Sequence, residues 1–83
     1  MRLVVTGPAE KDLLDIDPKQ RARIQKTIDR MLSDSRISDL KKVKGQSDAW
    51  HLRVGDWRVI LRMDQAEGVI YVDRIKHRKE AYR

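Results

Sequence analysis

WHLRVGDWRVILRM, residues 50–63, alternates apolar and polar side chains on both sides of a Gly55-Asp56 break. Trp50, Leu52 and Val54 fall on one face and His51 and Arg53 on the other; Trp57, Val59, Leu61 and Met63 then resume the period of two. A two-residue connection between such runs predicts a β-hairpin with a primed turn, since glycine adopts a positive φ freely and aspartate tolerates one. This loop sets the register. Val54 opposes Trp57, Arg53 opposes Arg58, Leu52 opposes Val59, His51 opposes Ile60 and Trp50 opposes Leu61. One face then carries Trp50, Leu52, Val54, Trp57, Val59 and Leu61, enough for a core. The other carries His51, Arg53, Arg58 and Arg62 around Ile60. Two arginines directly opposed destabilise a strand pair, so an anionic ligand is the natural compensation. Neighbouring carboxylates that neutralise the pair, or a slipped register, would serve the same end.

Working outward, Arg2–Thr6 is β-branched and ends at Gly7-Pro8, which reads as a short strand and a break. A short helix is expected from about Pro8 to Asp15, with Leu13, Leu14 and Ile16 as its apolar side. Asp17-Pro18-Lys19-Gln20 is a strong helix start: a capping carboxylate, proline in the first helical position, and glutamine three residues after the cap. Ile24, Ile28, Met31 and Leu32 follow at i, i+4, i+7 and i+8, and the helix should end near Ser33–Ser35. Beyond the hairpin, Gln65–Gly68 reads as a turn and Val69–Ile75 as a third strand of this region. Both faces of that strand are largely apolar, as in a central strand covered on both sides. The expected fold is α+β in the order β-α-α-β-β-β. An N-terminal strand and a two-helix hairpin precede a three-strand antiparallel meander, with the helices on one face of the sheet. The expected core is Trp50, Leu52, Trp57, Val59 and Leu61 with Ile24, Ile28 and Leu32, and Tyr71 beside them.

The 83 residues, 40% hydrophobic and 39% charged, allow one domain, residues 1–83. The longest strictly apolar run, Val69-Ile70-Tyr71-Val72, is far short of the roughly 20 residues of a spanning helix, so no membrane association is expected. Leu3-Val4-Val5 is too short for a signal-peptide apolar region, and the chain has no cysteine, which fits a cytoplasmic protein. The formal net charge of +6 is distributed unevenly: residues 1–40 carry 8 basic and 7 acidic side chains, residues 41–83 carry 11 and 6. A surplus of one against a surplus of five puts a polyanion, nucleic acid or an acidic protein, first among partners. Lysine- and arginine-rich surfaces also serve solubility alone.

The end of the chain gathers His77, Arg78, Lys79 and Tyr82, proton-transfer groups and phosphate binders together. No glycine-rich nucleotide loop is present, and the two histidines are far apart in sequence with no Asp/Glu/His motif at ligand spacing, so neither a cofactor nor a metal is expected.

LRVGDWRVILRMD (52–64), with IYVDRIKHRKEAYR (70–83) after a short turn, resembles the signature of the RelE/ParE toxin superfamily, in particular its RelE-like branch. The likeness covers essentially the whole chain; its most specific parts are the Gly-x-aromatic-Arg hairpin and the terminal His-Arg-Lys-x-x-Tyr run. It implies the toxin of a type II toxin–antitoxin pair, an endoribonuclease that cleaves messenger RNA in the ribosomal A site without metal, and a cognate antitoxin that wraps it. Arg58 matches the family's phosphate-contacting arginine, Arg78 its second catalytic arginine, and Tyr82 its C-terminal tyrosine, with a shorter Arg78–Tyr82 spacing. His51 and Arg53 stand where the best-studied members have two lysines, and His77 resembles the C-terminal histidine of other members. The expected catalytic set is therefore His51, Arg53, Arg58, Arg78 and Tyr82, with RNA bound also by Arg62, Lys76, His77 and Lys79. A ParE-like inhibitor of DNA gyrase, or a non-catalytic RNA binder, would share the architecture.

Overall fold

The computed structural model describes residues 2–34, 40–46 and 48–81. Its elements are β1 (Arg2–Val5), α1 (Gly7–Leu14), α2 (Pro18–Ser33), β2 (Leu40–Lys42), β3 (Ala49–Val54), β4 (Trp57–Asp64), β5 (Val69–His77) and α3 (Arg78–Ala81). The strands form one five-stranded sheet in the order β1-β5-β4-β3-β2. β3, β4 and β5 are the expected antiparallel meander, while β1 lies parallel to β5. The sheet thus has one strand more than the sequence reading: β2, antiparallel to β3, with Leu40 opposite Leu52 and Lys41 opposite His51. Three residues, LKK, are too few to show a period of two, and two lysines at a sheet edge look like loop while discouraging a further strand from pairing there.

Local chemistry sets the helix ends. The Thr6 hydroxyl accepts from the Ala9 N–H at the start of α1, and lies 3.0 Å from the Val72 carbonyl to which it donates, tying α1 to β5. One Asp17 carboxylate oxygen accepts from the Lys19 and Gln20 N–H groups, the expected cap of α2. Arg21 closes the link between the helices: its guanidinium donates to the carbonyls of Leu13, Leu14 and Ile16 past the end of α1.

The hairpin register is the expected one at every pair from Val54–Trp57 to Trp50–Leu61. Gly55 has φ +59 and no non-glycine residue among those described has a positive φ, so Asp56 does not share the left-handed conformation and the turn follows the II′ pattern. The core is Leu52, Val54, Val59 and Leu61 of the hairpin against Ala9, Ile16, Ile24, Ile28 and Met31 of the helical segment, with Ile70, Val72 and Ile75 of β5. Trp50 and Trp57 pack on this cluster half-buried. Leu32 does not belong to it; at 39% exposure it has rotated past the buried stripe, and Met31 fills that place. Leu14 is also exposed, and Ala9 takes the buried position of α1.

β5 explains its two apolar faces by an irregularity. Leu61 pairs with Val72 but Ile60 with Arg74, so Asp73 is an extra residue, a β-bulge. The bulge shifts parity, and Ile70, Val72 and Ile75 all reach the helix-covered face. Tyr71 lies on the opposite face, not in the core, with the Arg62 guanidinium 4.2 Å from its ring centroid. Past the end of β1, Asp12 of α1 substitutes for the missing strand: its carboxylate accepts from the Ile75 N–H at 2.9 Å and from two nitrogens of Arg74. Partial burial alone would raise the Asp12 pKa, but these hydrogen bonds and the charges of Arg74 and Lys76 outweigh it and hold it below the usual 3.8. A carboxyl depressed by folding contributes stability above its unfolded pKa and loses it as pH falls through the folded value. Asp12→Asn should therefore cost about 1 kcal/mol at pH 7 and flatten the acid side of the stability–pH curve. Urea titrations between neutral and acid pH test this; parallel curves for the two proteins would contradict it.

Candidate active site

Because the helices cover one face of the sheet, the alternation of β3 and β4 leaves their basic residues on the other. Arg53 of β3, Arg58 of β4 and Lys76 of β5 are consecutive partners across three strands. The neighbouring row is Lys41, His51, Ile60 and Arg74. Directly opposed side chains have Cβ atoms about 5 Å apart, so Arg53, Arg58 and Lys76 stand side by side. Asp12 and Asp73, the acids nearest in sequence register, are turned to Arg74 and Arg62. The register thus pairs Arg53 with Arg58, as the two-residue loop requires.

His51 lies half-buried in the second row. Burial, and then the charge of Arg58, push its pKa below the ordinary 6.5, which favours the neutral imidazole. Arg58 is also half-buried, and its guanidinium donates back to the Trp57 carbonyl at 3.1 Å. Arg78 reaches the same end of the sheet through the hairpin turn: its N–H donates to the Asp56 carbonyl at 2.7 Å, and its guanidinium is 3.8 Å from the Asp56 carboxylate, both groups being well exposed. Lys79 is exposed in the first turn of α3.

Two of the expected RNA contacts stand elsewhere. Arg62 shares the basic face but is held by both Asp73 oxygens at 3.2 and 3.3 Å and stacks on Tyr71. His77 pairs with Trp57 on the helix-covered side, its ring edge-on to the indole at a 5.3 Å centroid distance, away from His51. The bulge causes this, since without the extra residue the parity of β5 would put position 77 on the basic face. Tyr82 lies outside the described residues. Lys41 is a basic neighbour of His51 that the sequence reading missed together with β2. Among the described residues, no three His, Asp or Glu side chains come together as metal ligands, and no helix is long and apolar enough to cross a membrane.

Residues 3–82 match the model of the ParE toxin of type II toxin–antitoxin systems, parDE. The chain belongs to the ParE toxin family. The fold agrees with solved relatives of that superfamily. The toxin of the RelB–RelE antitoxin–toxin complex from Methanococcus jannaschii is 25% identical, with a TM-score of 0.77 over 95% of this chain and 94% of that one. The archaeal RelE–RelB complex from Pyrococcus horikoshii gives 23% identity and a TM-score of 0.79 over 95% and 96%. The isolated E. coli RelE toxin gives 20% identity and 0.80 over 98% and 89%. No curated protein sequence matches the chain. The family match spans both features that carried the resemblance, the hairpin and the basic terminal run, and makes the chain a toxin of a type II toxin–antitoxin system within the RelE/ParE superfamily.

Proposed function

We propose that this toxin is a ribosome-dependent messenger-RNA endoribonuclease that works without metal, and that a cognate antitoxin covers its basic sheet face. The observation that carries the reading is the Arg53–Arg58–Lys76 row with His51 in the row beside it. The reaction needs a base for the 2′-hydroxyl proton, donors for the charge on the five-coordinate phosphate, and an acid for the departing 5′-oxygen. His51 takes the proton as the 2′-oxygen attacks phosphorus. Arg53, Arg58 and Arg78 offer forked, permanently charged donors to the phosphate oxygens. The P–O5′ bond breaks, leaving a 2′,3′-cyclic phosphate and a 5′-hydroxyl. Tyr82, a catalytic position by the family resemblance, is the proton donor this reading assigns to the leaving oxygen, since arginine is too weak an acid and His77 is turned to Trp57. Lys76 and Lys79 hold the strand, whereas Arg62 and His77 are engaged by Asp73 and Trp57 and are omitted from the contact set.

An antitoxin partner is supported by the RelB–RelE complexes that share the fold, and its segment over the basic face should be acidic. The affinity of the pair should accordingly fall with added salt; calorimetry showing a salt-independent affinity would remove the electrostatic part of this reading. A gyrase inhibitor is the second reading, favoured by the family's description as ParE. Purified toxin incubated with programmed ribosomes and, in parallel, with DNA gyrase separates the two. Message cleavage with unimpaired supercoiling is expected, and inhibited supercoiling with intact message would overturn the nuclease. A base must be neutral to act, so single-turnover cleavage should rise with pH over a limb centred below 6.5, and His51→Gln should lower the rate and abolish that limb. An unchanged rate and limb would make His51 structural.

A further inference from the structure

Around the edge of the sheet from the Arg58 row, α2 and the β3–β4 turn enclose a second basic site. Arg23, Thr27 and Arg30, at i, i+4 and i+7 of α2, share a cavity of about 330 Å³ with Arg53, Val54 and Gly55. Among the described residues, three guanidinium groups line it and no carboxylate does. The Thr27 hydroxyl donates to the Arg23 carbonyl at 2.9 Å, so the donors left to face the space are the arginines' N–H groups. Arg23 reaches the turn because Gly55 has no side chain: a Cβ there would lie 2.9 Å from its Nη1. Positive φ at Gly55 makes the turn, and the bare backbone gives the arginine its berth.

Converging like charges repel, and forked guanidinium donors suit the tetrahedral oxygens of a phosphate. Among the described lining residues Val54 is the one apolar side chain and is only 4% exposed, so they supply no apolar anchor of the kind on which peptide recognition rests. Arg53 belongs to both places, lining this cavity and standing opposite Arg58. We propose that the cavity binds a backbone phosphate of RNA other than the scissile one, with Arg53 bridging the two; this rests on the nuclease reading and extends its contact path from the sheet onto α2. No bond is made or broken here, and the role of the site is to hold RNA in place.

The test is the doubly substituted full chain Arg23→Gln/Arg30→Gln, which alters two exposed side chains outside the catalytic set. Binding of single-stranded RNA with 2′-O-methyl riboses, which cannot be cleaved, is followed by fluorescence anisotropy across a salt series, for a trinucleotide and for a longer oligonucleotide. The variant should bind the longer RNA about five- to tenfold more weakly, with a salt slope smaller by about 0.7 for each phosphate it no longer neutralises, and bind the trinucleotide as the wild type does. That pattern assigns the phosphate to the message strand. A raised KM on programmed ribosomes with oligonucleotide binding unchanged would assign it to ribosomal RNA. Unchanged oligonucleotide binding together with an unchanged KM would overturn the proposal, as would a variant that weakens only antitoxin binding. If the wild type itself neither binds nor cleaves RNA, the nuclease reading fails as a whole, and the two failures are thus distinguishable.

Discussion

Replacing Arg58 with alanine should abolish message cleavage while leaving the protein folded. Arg58 is central in the cationic row, with Arg53 on one side and Lys76 on the other. If it donates to the phosphate as charge develops, its loss removes about 2–4 kcal/mol of transition-state stabilisation, a fall of about 30- to 10³-fold in the single-turnover rate. Stability should change little, because Arg58 is not part of the buried core and its truncation leaves no core cavity. The same substitution has a spectroscopic signature. The charge of Arg58 is one of the two causes that lower the His51 pKa, so in Arg58→Ala the imidazole should titrate at higher pH, as followed by NMR. A variant that cleaves at the wild-type rate would remove Arg58 from the mechanism; one that loses activity with an unmoved His51 titration would separate the two residues in space.

The largest effect on stability should come from Leu52→Ala. Leu52 is fully buried, flanked across the sheet by Leu40 and Val59, and lies within the cluster that holds Ile24, Ile28 and Met31. Truncating it leaves a cavity and should cost about 2–5 kcal/mol, a large share of the about 5–15 kcal/mol that holds a domain of this size together. Urea denaturation would show the midpoint fall at an unchanged slope. A cost below about 1 kcal/mol would mean that the hairpin does not carry the core.

Leu52 and Arg58 lie in one hairpin, and the face each occupies was legible in the alternation of residues 50–63. A two-residue loop ties register to sequence, and with register comes the identity of each face, so the buried row and the arginine row are one inference. Other features were not local enough to read. β2 is three residues whose strand character exists only through pairing with β3. The bulge at Asp73 depends on how β5 fits β4 and β1 together, and it alone decides that His77 meets Trp57 and that Tyr71 meets Arg62. The cluster of Arg23, Thr27 and Arg30 did carry a signal, the i, i+4, i+7 spacing, but on a helix read for its apolar stripe such spacing marks a solvated face. Only the approach of Arg53 and the missing side chain of Gly55 make it a site.

The central claim, that the uncovered sheet face performs phosphoryl transfer with its own side chains, is tested most directly by the ends of the cleaved message. Programmed ribosomes would be incubated with purified toxin and the fragments analysed for their terminal groups. Attack by the 2′-oxygen predicts a 2′,3′-cyclic phosphate on the upstream fragment and a free 5′-hydroxyl on the downstream one, both lost with Arg58→Ala. A 3′-hydroxyl with a 5′-phosphate, or message that stays intact under toxin sufficient to saturate the ribosomes, would contradict it.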